Sequence, residues 1–257
     1  MTAQPAPISG PAKTIDEVIA HLDEIIACAR REQSRLGYFA TLYRNVTIEV
    51  KRGIANGNFE HSPRMERLDV TFANRYLTAL EACHRRETAS QCWTTAFKIT
   101  TEWAPIVLQH LLLGMNAHIN LDLGVAAATV CPGDQLPSLQ HDFDEINNIL
   151  EAMIIGVRLQ LEKISPWLKL LDFVGGRTED VVLNWSITKA RDAAWSFAQH
   201  LAPLDAEQFA IAIAQRDRDT CLLTDLIRSP GALISAVNLI VRFSEPRRVA
   251  RILEMLA

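Results

Sequence analysis

The chain has no Cys-x-x-Cys pair, no glycine-rich phosphate loop and no run of basic residues, and each absence removes a class of function. Its five cysteines, Cys28, Cys83, Cys92, Cys131 and Cys221, are scattered along 257 residues. An odd, unclustered set fits reduced thiols better than a disulfide framework, which sets the expectation of a cytoplasmic protein. Without Cys-x-x-Cys there is no structural zinc knuckle, and without Cys-x-x-Cys-His no covalently attached haem. The missing P-loop, glycine-rich strand-to-helix turn and Gly-x-Ser-x-Gly elbow argue against nucleotide-binding α/β folds and α/β-hydrolases. The 26 Lys and Arg are interspersed with 30 Asp and Glu, for a net charge of -4. No basic stripe marks a nucleic-acid partner and no polybasic block marks an anionic lipid surface. The opening MTAQPAPISGPAKT lacks the basic start and apolar centre of a signal peptide, and residues 1–13 read as a disordered tail.

What the chain does have is apolar content, 49% of residues, enough for one sizeable core. The apolar positions recur at helical rather than strand spacing. Thr14 with Glu17 three residues on forms a capping box for a helix carrying Ile15, Val18, Leu22 and Ile25, predicted to reach about Leu36. VTIEVKRGI (46–54) alternates like a strand, but a lone strand cannot satisfy its edges, so it reads as more helix. Ser62-Pro63 reads as a cap and first helical residue, followed by the stripe Met65, Leu68, Phe72, Tyr76, Leu80. Glu66 and Asp69 beside it read as a solvated edge or as partners of Arg64 or Arg75. Further helices are predicted from Trp93, from Ser138, over about 179–201, and over 205–215, 218–228, 230–243 and 246–256. The expected fold is an all-α, single-domain multi-helix bundle over residues 14–257.

The centre of that bundle is the run Ala104–Ala128, APIVLQHLLLGMNAHINLDLGVAAA. It is long enough to cross a membrane, yet His110, Asn116, His118, Asn120 and Asp122 would all need partners in lipid. No membrane span is therefore expected, and about 104–130 reads as a buried central helix. Buried polar groups require partners, so these residues form either a packing network or a site. His118 and Asp122, four apart, sit on neighbouring turns and can meet one cation, or the carboxylate can orient the imidazole as a general base. His110 is about 12 Å further along, too far for the same ion. Asn116 and Asn120 project away from His118. A third metal ligand must come from a neighbouring helix: His141, Asp142 and Asp144 are candidates, Asn147, Asn148 and Glu151 are at least as well placed, and Asp144 is taken to complete the shell. Arg191 and Trp195, one turn apart, read as an Arg stem stacked on an indole.

FANRYLTALE (72–81), WTTAF (93–97), LLLGMNAHINLDL (111–123) and DFDEINNIL (142–150) together resemble a bacterial all-helical family of unknown function. The resemblance implies a single helical domain and draws attention to Asn116, His118, Asn120, Asp122 and the Asp142–Asp144 segment. It implies no activity. A His-x-x-x-Asp on a buried helix is also loosely similar to zinc-dependent phospholipase C and nuclease proteins. Those use a metal-bound N-terminus and further His and Asp ligands that have no counterpart at matching spacing here.

The functional expectation is a metal-dependent enzyme, a hydrolase being the first choice, with His118 and Asp122 catalytic. His118, Asp122 and Asp144 would hold a divalent metal, and Asn116 and Asn120 would bind substrate. Two alternatives stay open: a non-enzymatic helical protein binding a small molecule, in which the polar helix residues are structural, and a haem or other cofactor protein using His110 or His118. A small molecule is the expected partner, and self-association into a homo-oligomer is left open.

Overall fold

The computed structural model describes residues 10–171 and 187–257, and it is all-α, with no strand among the described residues. Local chemistry sets most boundaries. Thr14 Oγ1 accepts from Glu17 N at 3.2 Å, while the Glu17 carboxylate accepts from Lys13 N, so the expected box closes one residue early. Residues 10–13 are tied down here, since the buried Ala12 exchanges two hydrogen bonds with Asn74. Helix α1 (Ile15–Glu32) stops short of Leu36 because Gln33 turns into the left-handed region, φ 53°, with its N–H returned to Ala29 O. The chain restarts as α2 (Leu36–Ala55), which takes in the whole strand-like stretch. Its β-branched residues are held helical by packing on both sides, and Thr47 Oγ1 donates back to Tyr43 O.

Helix α3 (Ser62–Arg85) is capped by His61, whose Nδ1 accepts from Arg64 N at 3.1 Å, so Ser62 and Pro63 are its first two residues. Helix α4 (Gln91–Ile99) is capped by Ser90 and by Asp217, which accepts from Gln91 N and Cys92 N. Pro105 keeps the central helix from starting at Ala104. It runs from Val107 to Val130 as α5 (Val107–Met115), a π-helical segment (Asn116–Leu123) and α6 (Gly124–Val130). The first amide of α5 is satisfied across the fold by the Glu245 carboxylate, 2.9 Å from Val107 N.

A 3-10 turn, Gly133–Leu139, leads into α7 (Gln140–Ile164). Helix α8 is described over Ile187–Leu201, so its expected start near Glu179, Trp185 and the Gly175-Gly176 turn lie outside the described residues. Where two helices were expected there is one, α9 (Ala206–Arg228), followed by α10 (Ala232–Ser244) and α11 (Val249–Leu256). Nothing near residue 216 interrupts α9, because Arg216 donates to Asn120 O and Ala193 O and anchors its middle to the core.

Helices α3, α4, α8 and α9 pack around the π segment and its flanks, while α2, α7 and α11 close the side facing α5. Two glycines set the closeness of this packing. A Cβ on Gly114 would lie 2.4 Å from Phe39 Cγ, and one on Gly124 would lie 2.6 Å from Ala194 O. Val107–Val130 is long and apolar enough to cross a membrane, but 83% of its most apolar window is buried, so that surface is taken up by contacts within the fold.

Candidate functional site

The central helix changes character where its polar residues begin. Over Asn116–Leu123 the backbone follows the wider π pattern, which is rare and recurs at functional sites. This keeps His118 and Asp122 on one side of the helix, facing α2, α3 and α4.

The His118 imidazole sits inside a cage of five aromatic rings from those three helices. It lies nearly parallel to Phe72, centroids 3.5 Å apart, and edge-on to Tyr43 at 4.4 Å. Phe39, Tyr76 and Trp93 complete the enclosure at 5.7 to 6.2 Å. Burial pushes the imidazole below its ordinary pKa, against the opposing pull of Asp122, so the ring is held neutral. Its Nδ1 is 3.7 Å from Asp122 Oδ2, longer than a hydrogen bond, and among the described residues neither ring nitrogen has a hydrogen-bond partner. Asp122 is itself fully engaged. Oδ1 accepts from Arg75 Nε and Oδ2 from Trp93 Nε1, each at 2.7 Å. Burial works against its charge, but Arg75 and the Trp93 and His118 side chains outweigh it, and the carboxyl stays below its ordinary pKa.

Beside the imidazole opens a cavity of about 280 Å³ between α2, α3, α5, the π segment and α7. Its wall is mostly Leu, Ile, Val, Met and Phe, with Met65, Met115, Leu150 and Met153 among them. Tyr43, Asp69, His118 and Arg191 are the polar residues set deeper in the lining, and Ile154 and Arg158 form an exposed rim on α7. Asp69 is buried, and among the described residues its Oδ2 has no hydrogen-bond partner. Burial, with the nearby Glu66 charge adding to it, pushes the Asp69 carboxyl up to about 7. The Tyr43 phenol is raised well above its ordinary value by the same burial, and by Asp69 and Asp122.

A model of a family of unknown function, DUF5995, matches residues 15–230. The chain belongs to that family. No curated protein and no solved structure matches it. The stretch shared with DUF5995 contains every residue lining the cavity, from Phe39 to Arg191.

Within this DUF5995 fold the other residues singled out from the sequence are dispersed. Asn116 is fully buried against α9, with Nδ2 donating to Thr220 O and Thr224 Oγ1, and Asn120 Nδ2 donates to Asn116 Oδ1. Both face away from the cavity, as the spacing indicates, and neither lines it. Asp144 is exposed on α7 and acts on Arg191 by its charge. It does not converge with His118 and Asp122: among the described residues, the three ligand groups that come within 4.8 Å of one another are Glu60, His141 and Asp142. In that trio Asp142 already accepts from Glu60 N, His61 N and Arg64. His110 is buried edge-on to Tyr38, and burial lowers its pKa to about 3. Arg191 stacks over Phe143, 4.4 Å from the ring centroid, rather than over Trp195, because Asn147 Oδ1 and Phe143 O draw its guanidinium toward α7.

Asp69 departs most from the sequence expectation. It is buried, and among the described residues no basic side chain pairs with it, since Arg75 is committed to Asp122 and Arg64 to Asp142. The sequence signal was its place one residue after Leu68 on an otherwise buried stripe, and that position alone does not separate a wet edge from a cavity wall.

Proposed function

We propose that this protein binds a small, largely apolar molecule in the cavity beside His118. The cavity itself carries the reading: about 280 Å³ walled almost wholly by aliphatic and aromatic side chains, with a few polar residues in the lining. That is the composition of a ligand pocket. Close-packed interiors do not keep such space without cost, since an unfilled cavity of this size costs on the order of several kcal/mol. The exposed rim at Ile154 and Arg158 gives a ligand a way in. The His118–Asp122–Arg75–Trp93 cluster supports the wall by fixing α3 and α4 to the central helix.

Metal-assisted hydrolysis through His118, Asp122 and Asp144 draws less support. Both Asp122 oxygens already accept hydrogen bonds from the protein, and Asp144 lies in solvent. The binding reading is tested by titrating the protein with N-phenyl-1-naphthylamine, an uncharged probe that fluoresces in apolar sites. Saturable one-site binding is expected, and Leu150→Trp, which fills the cavity, should remove it while the circular dichroism spectrum stays helical. Absence of saturable binding, or equal binding by Leu150→Trp, would overturn the proposal.

A further inference from the structure

The outer side of the cavity rim is apolar where a solvated helix would be polar. Ile154 and Arg158, the exposed rim residues, belong to the second half of α7, and Leu168 in the turn after it also lines the cavity. On the same stretch Ile155 is 70% exposed, Leu159 53% and Trp167 50%, with Leu170 exposed as well. Exposed apolar residues standing singly need no explanation, but a group of them around an opening marks an interaction surface. The turn is firmly held. Ser165 Oγ donates to the buried Glu245 carboxylate at 2.6 Å, and Leu168 and Leu171 pack inward with Ile106 and Ile234, which leaves Trp167, Lys169 and Leu170 facing out.

Charge decides what such a face meets. From Ala152 to Leu171 the chain carries three exposed cations, Arg158, Lys163 and Lys169, and one acid, Glu162, which is half-buried and bridged to Arg158. The surplus here is positive in a protein whose net charge is -4. These cations stand five and six residues apart with apolar residues between them, so they form no basic block in the sequence. That mixture suits an anionic lipid surface: Lys and Arg stems lie along the apolar layer while their heads reach the phosphates, and an indole favours the same depth. A second copy of the chain meeting this face about a two-fold axis would bring the same cations together.

We infer that the second half of α7 and the turn after it dock on an anionic lipid bilayer, and that the apolar ligand of the cavity enters and leaves through the docked rim. The exchange rests on the binding reading above, whereas the docking stands on the composition of the face. A ligand passing this way moves from lipid to cavity without exposing its apolar surface to water.

The experiment is sedimentation of the full chain with vesicles of phosphatidylcholine alone and of phosphatidylcholine and phosphatidylglycerol at 7:3. Binding to the mixed vesicles is expected, at least tenfold weaker to phosphatidylcholine alone and lost at high salt, since each basic residue near such a surface contributes roughly fivefold. Lys163→Glu combined with Lys169→Glu, and separately Ile155→Glu, should each weaken binding at least tenfold while the circular dichroism spectrum stays helical. Protein loaded with N-phenyl-1-naphthylamine should pass the probe to mixed vesicles carrying a nitroxide-labelled quencher lipid at a rate that rises with vesicle concentration. No binding to the mixed vesicles, or equal binding by the variants, would overturn the docking. A dimer in sedimentation velocity that Ile155→Glu dissolves, without vesicle binding, would overturn it by assigning the face to a second copy. Transfer at a rate independent of vesicle concentration would overturn the exchange alone. If the probe does not bind the protein at all, the cavity reading fails and the exchange with it, and vesicle sedimentation still decides the docking.

Discussion

Asp69→Asn is expected to make the protein more stable, by an amount that depends on pH. The folded protein holds the Asp69 carboxyl at about 7, against an ordinary 3.8, with burial as the leading cause and Glu66 second. Between those two values the folded state binds a proton that the unfolded chain has already lost. The stability contributed at this position is therefore greatest below the ordinary pKa, falls as pH rises through the window, and is flat above the folded value. The full difference corresponds to roughly 4 kcal/mol at pH 8, an upper bound because water entering the cavity would relieve part of it. Asparagine keeps the shape and hydrogen-bonding capacity and removes the titration. Urea unfolding of wild type and Asp69→Asn at pH 5, 6, 7 and 8 measures the gap, provided both chains keep the same denaturant slope. The gap should widen in favour of the variant with each step up to pH 8. A gap that stays constant with pH, or a variant less stable than wild type at pH 8, would show that Asp69 is not a desolvated acid. The result would also expose a residue kept at a cost to stability, as binding sites often require.

Arg75→Met leaves the buried Asp122 carboxylate without its cation and should cost about 3 kcal/mol in chemical unfolding at pH 7, with Trp93→Phe costing about 2 kcal/mol through the lost indole donor. Gly114→Ala would push Phe39 out of the His118 cage, and a loss of about 1–3 kcal/mol is expected together with weaker probe binding. Protein purified without added metal should contain less than a tenth of an equivalent of zinc, iron, manganese or nickel by elemental analysis, and show no absorbance above 350 nm. A stoichiometric metal lost on His118→Ala would return the site to metal chemistry.

The helical class and the buried central helix were legible in the sequence because both rest on periodicity, which survives without knowledge of neighbours. The separation of Asn116 and Asn120 from His118 was also legible, since it depends only on spacing along one helix. What was not legible depended on partners distant in sequence. Asp122 looked free to bind a metal until Arg75 and Trp93, 47 and 29 residues away, were found on its two oxygens. Asp69 looked solvated because nothing local shows that it lies in the wall of a cavity. Asp144 looked able to return toward His118, but the 3-10 turn at Gly133–Leu139 sets the phase of α7 so that Asp144 points outward while Phe143, Ile146 and Leu150 face the cavity. The break between α1 and α2 was missed because Gln33 is a residue type that rarely takes a left-handed turn.

A π turn is an α-helix that has taken in one residue more than its hydrogen bonding prefers, and over Asn116–Leu123 that surplus acts as a phase shifter. Deleting a single residue there would let the backbone relax into regular α-helix, which turns further per residue than the π segment, and so would change the rotation of α6 about the axis relative to α5. Gly124 would leave its place against the Ala194 carbonyl, and the small-residue face of α6 would turn away from α8. The surplus residue therefore sets two packing faces independently, one toward the α2 side with its cavity and one toward α8. Length variation in this segment should be tolerated far less than in the loops, and homologous chains that keep the cavity should keep the eight-residue segment at fixed length.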